Sequence, residues 1–130
     1  TVAYNPRTPL ESLKILAGDS DRGVRLQVAR NTNIPPEALK TLAGDSVWEV
    51  RREAARNPKA PLEALKTLAG DSNKSVRNAV ARNPNTPPEI LKTLAGDSER
   101  LVKDTANLAL KKLEPKQNES RLRKLIRLMI

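Results

Sequence analysis

The pentapeptide Leu-Ala-Gly-Asp-Ser occurs four times, at residues 16–20, 42–46, 68–72 and 94–98, always 26 residues apart. A period of this length marks a stacked-repeat architecture, in which one unit is too small to bury its own apolar face. Four units follow: 5–30, 31–56, 57–82 and 83–108. Each reads roughly Asn-Pro-x-x-Pro-x-Glu-x-Leu-Lys-x-Leu-Ala-Gly-Asp-Ser-x-x-x-Val-Arg-x-x-Val-Ala-Arg.

Within a unit the pattern predicts two short helices. Pro9, Pro35, Pro61 and Pro87 suit a first helical position, where a missing N–H costs nothing. Thr8 with Glu11, and Thr86 with Glu89, have capping-box spacing there. Leu13, Leu16 and Ala17, or their equivalents, share one face. Gly18, Gly44, Gly70 and Gly96 are expected to end that helix by supplying a left-handed residue. Ser20, Ser46, Ser72 and Ser98 are expected to cap the second helix, Ser46 with Glu49 as a further capping box. That helix is expected to bury Val24/Val28, Val50/Ala54 and Val76/Val80, with Ala29, Ala55 and Ala81 beside them, at helical spacing. Asn31, Asn57 and Asn83 then read as turn residues tolerant of the left-handed region.

Composition agrees. Aromatics are 2% of the 130 residues, so the core is aliphatic, and β architecture is disfavoured. The chain has no Cys and no His, which removes thiol chemistry, disulfides, Cys/His zinc sites and histidine acid–base catalysis. It has no P-loop, nucleophile elbow or dinucleotide turn. The expectation is therefore no enzyme and no cofactor, in a cytoplasmic protein.

The motifs Asn-Pro-x-x-Pro, Leu-x-x-Leu-Ala-x-Asp and Val-Arg-x-x-Val-Ala, present from Asn5 to about Ala106, resemble the variant leucine-rich repeat (LRV) family, a relative in style of HEAT repeats. The resemblance implies an all-α, right-handed solenoid in which short α-helices alternate with 3₁₀ segments. The shorter, proline-led segment is the candidate for 3₁₀. The family's best-known layout adds a cysteine-bound iron–sulfur cluster ahead of the repeats. With no Cys here, that feature is not carried over.

Both ends depart from the pattern. Val2 and Ala3 match Val28 and Ala29 in register, so residues 1–4 read as the last turn of a preceding repeat in a longer array. In the fourth unit Asn107 and Leu108 replace Ala and Arg. The last helix is expected to continue through Ala109, Leu110 and Leu113, stop at Pro115, and lead through a linker (109–117 with the extension) to a basic amphipathic helix at 118–130. There Leu122, Leu125, Ile126 and Met129 fall at i, i+3, i+4 and i+7, with Arg121, Arg123, Lys124 and Arg127 around them. Residues 111–130 hold seven Lys/Arg against two Glu, whereas the first 110 hold 17 basic and 13 acidic side chains. That helix suits docking on the solenoid end, a partner groove or second copy, or an anionic membrane surface.

Four charged or polar series repeat. Asp19, Asp45, Asp71 and Asp97 with Arg25, Arg51 and Arg77, and Asn31, Asn57 and Asn83, are expected to form a structural ladder, since residues common to every unit serve the stacking that all share. Lys14, Lys40, Lys66 and Lys92, and Arg30, Arg56 and Arg82, could align as basic rails. Glu11, Glu37, Glu63 and Glu89 lie three residues before each Lys, a pairing distance. Variable positions speak more of a partner. Trp48 occupies a slot that is otherwise Arg22, Lys74 and Arg100, and a lone exposed Trp suits an interface anchor. Arg52, Glu53, Asn78 and Asp104 fill other variable slots. The function expected is protein or peptide binding by the concave face, with nucleic-acid or polyanion binding through the rails and tail as the alternative. An assembly role of the tail is a third reading.

Overall fold

The structure, a computed structural model, describes residues 9–130 and, outside 115–118, their side chains. The expected repeat remnant at 1–4 and the Thr8–Glu11 box lie outside these residues. Among the described residues the chain forms eight α-helices and no strand, in four consecutive pairs. The first helices are α1 (Leu10–Leu16), α3 (Pro36–Ala43), α5 (Leu62–Ala69) and α7 (Pro88–Leu94); the second are α2 (Arg22–Arg30), α4 (Trp48–Arg56), α6 (Lys74–Arg82) and α8 (Arg100–Met129). The fold is an all-α solenoid. Each helix packs on its partner and on its counterpart in the next unit, and the second helices form the tighter layer.

The core is the expected one. Leu13, Leu39, Leu65 and Leu94 from the first helices form one buried cluster with Val28, Val50, Val76, Val80 and Val102 from the second. Ala29, Ala54, Ala55, Ala81 and Ala106 fill the contacts between successive second helices, where a larger side chain would hold the layers apart. Val24 is half-buried against this core.

The ends of the helices differ from the sequence expectation. Both helices of a unit are α, and no 3₁₀ helix occurs among the described residues. Bonds of 3₁₀ type are single ones at helix ends and in the connecting turns, as from the Gly44 N–H to the Thr41 carbonyl at 3.1 Å and from the Ala38 N–H to the Pro35 carbonyl at 3.0 Å. Packing of the leucine face sustains a full α-turn even in seven residues. Pro9, Pro35, Pro61 and Pro87 are N-caps rather than first residues, with ψ of 145, 146, 159 and 160°. Only Pro36 and Pro88 sit within the first turn. The Thr86 hydroxyl donates to the Val80 carbonyl at 2.6 Å instead of capping α7. The second helices start one residue later than the serines suggest, with Asp21, Val47, Asn73 and Glu99 as N-caps, and no Ser46–Glu49 box forms. Asp21 and Asn73 cap their own helices, accepting the Gly23 N–H at 2.7 Å and the Ser75 N–H at 2.8 Å, while the loop aspartate Asp45 accepts the Val47 N–H at 2.9 Å. Nor is any residue left-handed among those described. Gly44 lies at φ −101°, ψ 10°, and an added Cβ would meet the Thr41 carbonyl at an ordinary 3.6 Å. Asn31, Asn57 and Asn83 are extended, with φ of −72, −69 and −70°.

Two polar ladders bind unit to unit. Arg25 Nε donates to Asp45 at 2.7 Å and its Nη1 donates to the Asp19 carbonyl at 2.6 Å. Arg51 repeats this with Asp71 (2.7 Å) and the Asp45 carbonyl (2.7 Å), and Arg77 with Asp97 (2.8 Å) and the Asp71 carbonyl (2.8 Å). Each guanidinium thus grips its own loop and the next unit's carboxylate. Burial pushes the Asp71 carboxyl up, but the Arg51 hydrogen bond, the Asn73 N–H and the charges of Arg51 and Arg77 together hold it below its ordinary value. Asp97 is lowered chiefly by its hydrogen bond from Arg77. The second ladder is buried. Asn57 Nδ2 donates to the Ala29 carbonyl (2.7 Å) and the Asn31 carbonyl (3.0 Å), while its Oδ1 accepts the Lys59 N–H (2.9 Å). Asn83 does the same with Ala55 (2.7 Å), Asn57 (3.0 Å) and Asn85 (2.9 Å).

The last helix corrects the expected domain layout. α8 runs unbroken for 30 residues, past the expected stop at Pro115 and through the expected linker. A proline inside a helix forgoes one backbone bond, and here Leu-, Lys- and Arg-rich segments on both sides favour the helix. Val102 and Ala106 are buried and Ala109, Leu110 and Leu113 half-buried. Residues 119–130 are exposed throughout, including Leu122, Leu125, Ile126 and Met129. The tail is therefore not docked on the solenoid end; it projects in line with the helix that carries it.

Three outcomes follow for stability. Asn57→Ala leaves two buried carbonyls without their donor and is expected to cost about 3 kcal/mol in urea unfolding; a change below about 0.5 kcal/mol would show the ladder to be incidental. Because Asp71 and Asp97 are lowered, their contribution is complete above the unfolded carboxylate value of about 3.9 and is lost as pH falls through the lower folded values. Asp71→Asn is expected to cost about 1–2 kcal/mol at pH 7 and to make the urea midpoint less sensitive to acid. Deletion of residues 119–130 is expected to leave stability within about 0.5 kcal/mol, as they bury nothing against the units.

Candidate functional site

Once the ladders are formed, Asp19, Asp45, Asp71, Asp97, Arg25, Arg51, Arg77, Asn31, Asn57 and Asn83 all lie between or within units, with their polar groups turned to loops and neighbouring repeats. The first-helix lysines are partly engaged as well. Lys14 pairs with Glu11 at 3.5 Å, and Lys40 crosses to Glu63 of the next unit at 3.0 Å, a pairing that spacing within one helix does not suggest.

The outer face of the second helices is different. Arg22, Trp48, Lys74 and Arg100 are each the first residue of their helix, and Arg30, Arg56 and Arg82 are each the last of theirs. Eight residues at 1.5 Å rise separate the two rows by roughly 12 Å. Between them lie the slots that vary from unit to unit: Leu26, Arg52, Asn78 and Asp104 in one row, Gln27, Glu53, Ala79 and Thr105 in the next. Stacking by the ladders sets these rows side by side.

Trp48 is 36% exposed. Its ring is not bare, because the Arg52 guanidinium carbon lies 5.2 Å from the ring centroid. Arg52 is the link to a second feature that spacing alone did not reveal. Glu53 is only 7% exposed, yet it lies 3.6 Å from Arg30, 3.7 Å from Arg52 and 3.5 Å from Arg56. One buried carboxylate gathers three arginines from two units, so the local charge stays positive.

Beside this cluster a cavity of about 450 Å³ opens between α4, α6 and α8. Arg52, Arg56, Lys74 and Arg82 line it with Asn78 and Leu101, and no carboxylate does. Arg52 Nε and Asn78 Oδ1 are buried without a hydrogen-bond partner. Of the residues singled out from sequence, the structure brings Lys74 to this cavity. Arg22 and Arg100 stay exposed in the same row, Arg100 3.7 Å from Asp104. Arg121, Arg123, Lys124 and Arg127 stand apart on the exposed tail. Arg52, Glu53 and Asn78 are uninformative one by one; the signal is that Arg52 and Asn78 share one register at the 26-residue interval and Glu53 lies in the adjacent one. Among the described residues no group of His, Cys, Asp and Glu is placed to hold a metal ion, and no helix is long and apolar enough to cross a membrane.

No curated protein and no solved structure matches the chain. The family described as leucine rich repeat variant matches residues 22–47, 48–73 and 75–99, three tandem repeats that begin at the first or second residue of the second helices. With more than half of its length so matched, the chain belongs to the leucine rich repeat variant family.

Proposed function

We propose that the chain is a non-catalytic scaffold that binds a protein or peptide on the outer face of its second helices. One observation carries this reading. Units that repeat their core and ladders almost residue for residue differ on this face, where Trp48, Arg52, Asn78 and Leu101 have no counterparts in other units. Stacking requires uniformity, and recognition of a particular partner requires difference. The family adds that this is a repeat scaffold.

A second reading, binding of nucleic acid or another polyanion, draws on the two cationic rows. Against it, Arg52 covers one face of the only Trp, leaving little surface on which bases could stack.

A photo-crosslinking residue at position 78, on the second-helix face, is expected to capture a discrete protein from an extract of the cells that make this chain. The same residue at position 66, on a first helix, is expected to capture none. Equal capture from both positions would overturn the reading, and capture abolished by nuclease would favour the alternative. Trp48→Ala is expected to reduce capture from position 78.

A further inference from the structure

We infer that the cavity between α4, α6 and α8 is a subsite for an acidic peptide segment, with carboxylates held by Arg52, Arg56, Lys74 and Arg82 and an apolar side chain against Leu101. This rests on the scaffold reading above and names the chemistry of its partner.

The charge argument comes first. Four cations converge on one concavity whose lining has no carboxylate. The nearest buried acid, Glu53, is already divided among three arginines and cannot neutralise the group. Clustered like charges raise the free energy of the empty cavity, and an anionic ligand relieves it. Three of the four are arginines, whose forked guanidinium can hold a carboxylate through two parallel hydrogen bonds, a stronger and more directional contact than an ammonium provides.

The unpartnered polar atoms decide what kind of anion fits. Arg52 Nε is a donor and Asn78 Oδ1 an acceptor, and both are buried without a partner. A rotation of either side chain toward a ligand therefore breaks no existing hydrogen bond. A peptide supplies what both need, a carboxylate for the donor and a backbone N–H for the acceptor. A phosphodiester backbone offers acceptors alone. Leu101, 64% exposed, adds an apolar contact at the α8 wall. The volume of about 450 Å³ suits a few side chains, within the range of small-ligand sites.

The test titrates the full chain, by fluorescence anisotropy, into a fluorescein-labelled octapeptide, Ser-Gly-Glu-Glu-Leu-Glu-Gly-Ser. Its counterpart with every Glu replaced by Gln, and a labelled thymidylate octanucleotide, form the other arms. Saturable binding is expected, about tenfold tighter for the Glu peptide than for the Gln peptide. Arg52→Gln and Lys74→Gln are each expected to weaken it about fivefold, whereas Lys66→Gln on the first-helix face leaves it unchanged. Lys74 is exposed and outside both ladders, so its variant tests the site without endangering the fold. Equal binding of the Gln peptide, absence of saturable binding, an equal effect of Lys66→Gln, or tighter binding of the octanucleotide would each overturn the inference. Capture of a protein from position 78 would still stand after any of the first three, so the scaffold reading is judged separately.

Discussion

Each unit is joined to the next by a guanidinium that hydrogen-bonds simultaneously to its own loop and to a neighbour's carboxylate. The geometry recurs almost without change, with Nε–carboxylate distances of 2.7, 2.7 and 2.8 Å. A short helix pair has little core of its own, and aliphatic contacts alone would tolerate sliding. The Arg–Asp contact sets the offset of successive units at the loop end of the second helices, and the buried asparagines set it at the opposite end. Between these two lines of pins the alanines are brought close enough to pack. A carboxylate that both closes its own turn and receives the preceding arginine also ties local conformation to stacking. A unit whose neighbour is lost loses part of the bond set that shapes its loop.

What was legible in the sequence follows from the same logic. The period, the helical pairing and the buried Leu, Val and Ala positions depend on patterns spread over four copies, and the fold shows them where expected. Helix ends were less legible, because several side chains compete for the same backbone groups. Serine looks like the natural cap, but the helix starts one residue later, where Asp21 and Asn73 cap α2 and α6. Glycine suggests a left-handed stop, yet the loop leaves the helix on the right-handed side, where a Cβ would fit. Pro115 reads as a terminator on local grounds, while the long helix around it continues. The tail's apolar stripe resembles a surface meant for docking, but amphipathic spacing does not say against what, and in this chain it faces solvent.

The residues of the second-helix face were the hardest to see because their meaning is relational. Trp48 stands out in any reading, whereas Arg52 is one arginine among many until its guanidinium is found over the indole. Glu53 likewise becomes informative only when arginines from two units are found around it. Such clusters arise across the 26-residue interval, at a separation that motifs within one helix do not register. The charge of the face is thus a property of the stack and belongs to no single unit.

The arginine-to-aspartate contact also has a direction. Donor and acceptor lie on opposite sides of a unit, so the linkage is head-to-tail, and two identical faces cannot satisfy each other through it. Contacts of this kind generate open arrays rather than twofold pairs. Length is then adjustable by whole units: inserting or removing 26 residues in register preserves the ladder bonds at the junction. The cationic rows on the second-helix face would lengthen or shorten in the same steps. For a chain built this way, duplication changes how much surface is presented without requiring a new way to fold.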